Sequence, residues 1–153
     1  MMGWLEHKVP PPFVMVIVAA LMWMGHVWLG NDLAGGWLLI LGLSFCVVGV
    51  GVAVTGFRTM VAARTSPSPT RIDLAKHLVT GGIYTRTRNP MYLGMVIFLI
   101  GVECILVNAW LSLGPFAFVF YIQRFQIVPE ERAMHEKFGA EYDAYRLRVR
   151  RWI

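Results

Sequence analysis

The sequence predicts an all-α, polytopic membrane protein of four transmembrane helices, the last two a helical hairpin, with cytoplasmic loop and C-terminal amphipathic helices beside them. Three observations carry this. Of 153 residues, 57% are hydrophobic and only 15% charged, against about 25% charged in a soluble domain. The apolar residues come in blocks near the length of about 20 residues that crosses a bilayer. All 14 Lys and Arg then fall on one side of the resulting four-span arrangement.

The spans run from about 13–29, 37–57, 91–107 and 111–128. Backbone groups cannot stay unpaired in lipid, so each is expected to be a helix. The first is entered through Pro10, Pro11 and Pro12, and it reads as a retained anchor. Its flank of Glu6, His7 and Lys8 is weakly basic for a signal peptide, and its apolar run exceeds the usual h-region of about 7 to 15 residues. Asn108, Ala109 and Trp110 leave only a tight turn between the third and fourth spans, hence the hairpin. Lys8 precedes span one, six basic residues separate spans two and three, and seven lie at or beyond the end of span four. The positive-inside rule then places both termini and the long middle loop in the cytoplasm. A multi-pass protein of a bacterial inner membrane is the expected setting if the chain is bacterial. The length allows a single domain, 1–153.

Several function classes drop out. The net charge of +5 sits beside apolar spans without an aromatic-basic recognition motif, which favours membrane lipids over nucleic acid as partners. Cys46 and Cys104 lie inside apolar runs without metal-ligand spacing and read as small packing residues, so no metal is expected. Gly42, Gly49, Gly51 and Gly56 in span two, with Gly94 and Gly101 in span three, suit close helix approach in lipid. Glu103 and His26 lie near the outer ends of their spans, where reaching the interface or pairing with a neighbouring helix accounts for them.

The polar chemistry gathers in two cytoplasmic segments, 76–94 and 124–153. Each residue has a structural reading. Asn89-Pro90 can be an N-cap with Pro at the first helical position. Glu130 and Glu131 follow Pro129, where a helix N-terminus favours negative charge. Met134, Phe138, Tyr142, Tyr145 and Val149 recur at helical spacing and suit an amphipathic helix on the membrane, and Arg148, Arg150 and Arg151 suit anionic headgroups. Both segments abut the hairpin, however. Together they can build one pocket for a polar, nucleoside-like ligand beside an apolar cavity.

These residues resemble the isoprenylcysteine carboxyl methyltransferase family and its bacterial and phospholipid-methylating relatives. The matching elements are Leu78–Tyr84 (LVTGGIY), Arg88–Gly94 (RNPMYLG), Glu130-Glu131 and Phe138–Tyr145 (FGAEYDAY). The resemblance implies S-adenosylmethionine as cofactor and methyl transfer to a lipophilic or small apolar acceptor. Cofactor contacts then fall on Lys76, His77, Leu78, Val79, Tyr84, Asn89, Pro90, Met91, Tyr92 and Glu130. Asn89 stands where the family motif often has His, and an amide cannot titrate. Gln126 stands where eukaryotic members carry a substrate-contacting Arg, and Arg124 is the nearest guanidinium.

Transfer from a sulfonium needs mostly positioning and electrostatics. Glu130 is assigned the cofactor's ribose or ammonium, and Tyr84 or Tyr92 a cation–π contact. Asn89 and the Gly81–Ile83 backbone are assigned the adenosine. Arg124, with Gln126 nearby, is assigned the acceptor. An NADPH-dependent membrane reductase and a non-catalytic membrane scaffold are the competing readings. A thiol, a carboxylate, a phospholipid amine and a small apolar molecule all stand as acceptors.

Overall fold

A computed structural model describes residues 9–30, 32–63 and 77–153, and every regular element among them is helical. Helix α1 (Pro11–Leu29) starts with proline at its first positions, where a missing N–H costs nothing. It ends at Gly30, whose φ of 65° permits the left-handed cap that donates to the Val27 carbonyl. Helix α2 (Gly36–Ala62) is 27 residues long and reaches beyond the expected end of its span. A 3-10 turn (Gly82–Thr85) leads to α3 (Pro90–Leu106). A second 3-10 turn (Ala109–Ser112) opens α4 (Leu113–Ile122), which passes through a π turn (Gln123–Ile127) into α5 (Val128–Phe138). After Gly139 comes α6 (Ala140–Arg148), followed by a short extended tail.

Three stretches are long and apolar enough to cross a membrane: Pro11–Leu29, Gly36–Ala62 and the continuous Ala109–Phe138. Pro90–Leu106 is apolar and shorter, at 17 residues. Their outer surfaces suit lipid and not water: Trp28, Trp37, Val47, Phe116 and Phe120 are 72% to 85% exposed. Three exposed tryptophans, Trp28, Trp37 and Trp110, collect at one end of the bundle. That end is tied together by Ala34 N–H donating to the Ile105 carbonyl at 2.8 Å, and by the buried His26 Nδ1 donating to the Leu106 carbonyl at 3.2 Å. His26 is thus a tether between helices. Glu103 is partly exposed one turn before the end of α3.

The tightest pair is α2 with α3, packed antiparallel along glycines seven residues apart. A Cβ on Gly49 would lie 2.6 Å from the Gly94 carbonyl oxygen, and one on Gly101 would lie 2.6 Å from that of Gly42. Gly56 meets Pro90 and Met91 in the same way. Helices α3 and α4 also touch, but the intimate partner of α3 is α2. The core proper is built by α1, α3 and α4: Met22, Leu99, Leu106, Phe118, Ile122 and Ile127 pack together, with Trp152 of the tail against them.

Two local expectations are corrected. Residues 109–138 form one helix, so Glu130 and Glu131 do not sit at a free helix N-terminus. Pro129 lacks the N–H that would bond the Phe125 carbonyl, and its ring would clash there. The helix instead widens into the π turn, and Val128 N–H donates to the Gln123 carbonyl. The apolar stripe from Met134 to Val149 turns largely into the protein. Gly139, with φ of 50°, breaks it into two helices, and Tyr142, Tyr145 and Val149 are buried against Leu78, Met134 and Phe138. Those side chains roof the site.

Candidate active site

The end of the bundle opposite the tryptophans holds a cleft enclosing about 590 Å³ of empty space, part of it open to solvent. Met60 of α2, His77, Leu78 and Val79 of the irregular segment before the 3-10 turn, Tyr84 of that turn, and Arg88 and Asn89 line one side. Glu130, Glu131 and Met134 of α5, with Tyr142 and Tyr145 of α6, line the other.

Backbone and ionic contacts hold the two sides together. Arg88 N–H donates to the Arg150 carbonyl at 3.0 Å, and Asn89 Nδ2 donates to the Arg151 carbonyl at 3.0 Å. Asn89 therefore occupies the N-cap position without capping: its amide grips the C-terminal tail. Thr87 Oγ1 donates to the same carbonyl at 3.3 Å. Glu131 is the electrostatic hub. Arg151 holds it side-on through Nε at 3.0 Å and Nη2 at 2.6 Å, and Arg88 Nη1 reaches it at 3.0 Å. Its hydrogen bonds, and then its charge, raise the Arg151 guanidinium above its usual value. Glu130, one residue earlier, accepts a hydrogen bond from the Tyr92 hydroxyl.

The roof is a set of buried phenols. Tyr145 Oη donates to the Tyr84 carbonyl at 2.8 Å, and Arg88 Nη1 donates to Tyr142 Oη at 3.2 Å. Burial pushes Tyr145 up to about 12, raises Tyr142, and raises Tyr84 with help from Tyr145 and Glu130, so all three are neutral hydrogen-bonding groups. Two buried polar atoms have no hydrogen-bond partner among the described residues: Tyr84 Oη and Arg88 Nε. Native folds rarely leave such groups unpaired without a reason.

Of the residues picked from sequence, the fold brings His77, Leu78, Val79, Tyr84, Asn89 and Glu130 to this cleft, with Tyr92 behind Glu130. Pro90 and Met91 instead pack on Gly56. Gly81 and Gly82 are exposed and do not line the cleft. Lys76 lies outside the described residues. Arg124 lies on the exposed face of its helix, its guanidinium 5.5 Å from the Phe125 ring centre. Gln126 is fully buried and donates to the Val9 carbonyl at 3.0 Å, anchoring the entry to α1. Neither lines the cleft. Sequence reasoning passed over Arg88, Tyr142 and Tyr145 as site residues. All three stand inside motifs that were singled out, Arg88–Gly94 and Phe138–Tyr145, and the two tyrosines were also read as part of an amphipathic pattern.

Residues 37–141 match the phospholipid methyltransferase family. The chain is 29% identical over 116 residues to protein-S-isoprenylcysteine O-methyltransferase B of Arabidopsis thaliana, covering 74% of this chain and 57% of that one. It is 40% identical over 75 residues to the protein-S-isoprenylcysteine O-methyltransferase of Saccharomyces cerevisiae, covering 47% and 30%. An uncharacterised protein of Haemophilus influenzae is 40% identical over 63 residues, all of its length and 41% of this chain. The chain thus spans 57% and 30% of the length of these two named methyltransferases. No solved structure matches it. The resemblance read from the motifs is borne out.

Proposed function

The chain belongs to the phospholipid methyltransferase family, and from that premise we propose that it is an integral membrane methyltransferase using S-adenosylmethionine on a lipophilic or small apolar acceptor. The observation that carries this reading is the cleft itself, where two segments far apart in sequence meet around buried, unpartnered polar atoms. The residues fit a nucleoside-bearing donor: Met60, Leu78, Val79 and Met134 offer apolar walls, and Tyr84 Oη offers an unspent hydrogen bond. S-adenosylmethionine, when bound, supplies a methyl group already activated on a sulfonium.

The protein's part is then to bind, orient and exclude water. Glu130, aligned by the Tyr92 hydroxyl, presents its carboxyl group to a polar or cationic group. The tyrosine roof offers ring faces that attract a cation. Glu131, held from both sides by Arg88 and Arg151, locks α5 to the segment before α3 and to the tail. Such pre-set dipoles and charges are what accelerate a displacement needing no covalent help from the enzyme.

The membrane arrangement we propose has four crossings, with Pro90–Leu106 as the third. Its 17 residues give about 25 Å of helix, at the short end of what spans a bilayer. The cleft and both termini then face the cytoplasm, and the tryptophans mark the far interface. A wholly apolar crevice supports lipid-side entry of the acceptor. It is lined by Met15 of α1, by Gly49, Val50, Ala53 and Val54 of α2, and by Gly94, Met95 and Phe98 of α3. Arg124 is assigned to the interface, where an anionic headgroup or acceptor would meet it.

The test is thermal stability of the detergent-purified protein with S-adenosylhomocysteine or NADPH titrated in. A ligand at 100 times its Kd adds about 2.7 kcal/mol to the native state. The expected result is a saturable rise with S-adenosylhomocysteine alone, lost in Glu130→Ala. A rise with NADPH alone moves the chain to reductase chemistry, and no rise in folded protein removes the enzymatic reading.

A further inference from the structure

Arg88 is tightly held yet only partly used. Its Nη1 is committed to Glu131 Oε1 at 3.0 Å and to Tyr142 Oη at 3.2 Å. Its Nε is buried and has no partner among the described residues. Nε belongs to the side-on edge with which a guanidinium grips a carboxylate, the edge that Arg151 uses on Glu131. A buried N–H of a cation left unpaired costs the fold stability. Arg88 lines the cleft, so the segment maintains, at that cost, a carboxylate-binding edge on a residue of its wall.

What meets that edge is constrained by the other charges there. Glu131 is occupied by two arginines, whereas among the described residues Glu130 has the Tyr92 hydroxyl as its one hydrogen-bond partner. A lone anion approaching Arg88 would meet the Glu131 carboxylate and the acceptor oxygens of Glu130. A zwitterion fits better, because it offers a carboxylate to Arg88 and an ammonium to Glu130 at once. We propose that Arg88 is a specificity-determining residue that, opposite Glu130, recognises the zwitterionic α-amino acid end of the methyl donor. Arg88 Nε–H donates to the donor's carboxylate, Glu130 accepts from its ammonium, and Glu131 is the positioning residue that aims Arg88. This rests on the methyltransferase reading above.

The test compares S-adenosylhomocysteine with 5′-methylthioadenosine, which keeps the nucleoside and thioether but lacks the amino acid end. Dissociation constants are measured calorimetrically on the full chain in detergent, for the wild type and for Arg88→Lys, which keeps a charge for Glu131 but removes the side-on edge. The wild type is expected to prefer S-adenosylhomocysteine. Arg88→Lys is expected to weaken that ligand about ten- to a hundredfold, the usual worth of a hydrogen bond to a charged group, and to leave methylthioadenosine unchanged. Equal affinity of the wild type for both ligands overturns the proposal, whether or not the variant folds. Parallel loss of both ligands in Arg88→Lys overturns it too, because that marks a structural role. Undiminished S-adenosylhomocysteine binding by folded Arg88→Lys removes Arg88 from donor recognition. Failure of the folded wild type to bind either ligand sinks the methyltransferase reading itself.

Discussion

Tyr84 separates stability from binding at the level of a single residue. Its ring is buried and its carbonyl is held by Tyr145, but its hydroxyl bonds to nothing among the described residues. Removing an unpaired buried hydroxyl spares its desolvation penalty, on the order of 1 kcal/mol. Tyr84→Phe is therefore expected to melt at or above the wild-type temperature without ligand, while its affinity for S-adenosylhomocysteine falls several-fold. A drop in ligand-free melting temperature would mean the hydroxyl has a structural partner. Tyr145 makes a pH prediction. Burial moves it from 10.0 to about 12, so between those values the unfolded chain has released a proton that the native chain retains. Its contribution is complete below pH 10 and is lost as pH rises toward 12. Melting temperature should decline through that window. In Tyr145→Phe the decline should be shallower, from a lower starting point because the bond to the Tyr84 carbonyl is gone.

Helix packing turns on where a glycine sits, and the sequence alone did not separate the essential glycines from the incidental one. Gly42, Gly49 and Gly56 face α3, whereas Gly51 has nothing within 4 Å of the Cβ it lacks. At Gly94 an added Cβ would lie 2.5 Å from the Gly49 carbonyl oxygen and 2.6 Å from the Ala53 nitrogen, both rigid backbone. Gly94→Ala must push α2 and α3 apart and is expected to cost about 1–3 kcal/mol, the range for overpacking. Gly51→Ala should be neutral. Thermal denaturation of the two variants in one detergent decides this, and similar behaviour would mean the helices are not packed as described. The presence of long apolar helices was legible because lipid demands an unbroken apolar run. The π turn was not, because it reflects how Pro129 is accommodated inside a helix that continues, whereas a proline read locally marks a helix start.

At the scale of the whole molecule, the C-terminal tail closes the site. Its carbonyls at Arg150 and Arg151 receive the Arg88 amide and the Asn89 side chain, its Arg151 guanidinium fixes Glu131, and Trp152 packs on the core. Removing residues 150–153 is expected to lower the melting temperature and abolish S-adenosylhomocysteine stabilisation, leaving a membrane-inserted chain. Binding retained by the truncated protein would show that the cleft forms without the tail.

The sequence by itself determined the solvent of this protein and singled out Tyr84, Asn89 and Glu130, which the fold brings to one cleft. Apolar runs of bilayer length and one-sided basic charge are local or additive properties, readable without knowing what touches what. The motifs around Tyr84, Asn89 and Glu130 likewise stand out as polar residues in places where packing alone does not require them. Only the tertiary structure decided what each group does. Asn89 grips the tail, Gln126 anchors the entry to α1, and the Met134–Val149 stripe roofs a cleft. It also left Arg88 with an unspent edge. These outcomes depend on partners 20 to 117 positions away in the chain. A hydrogen bond or ion pair is a property of two groups, and no pattern within one segment contains the second.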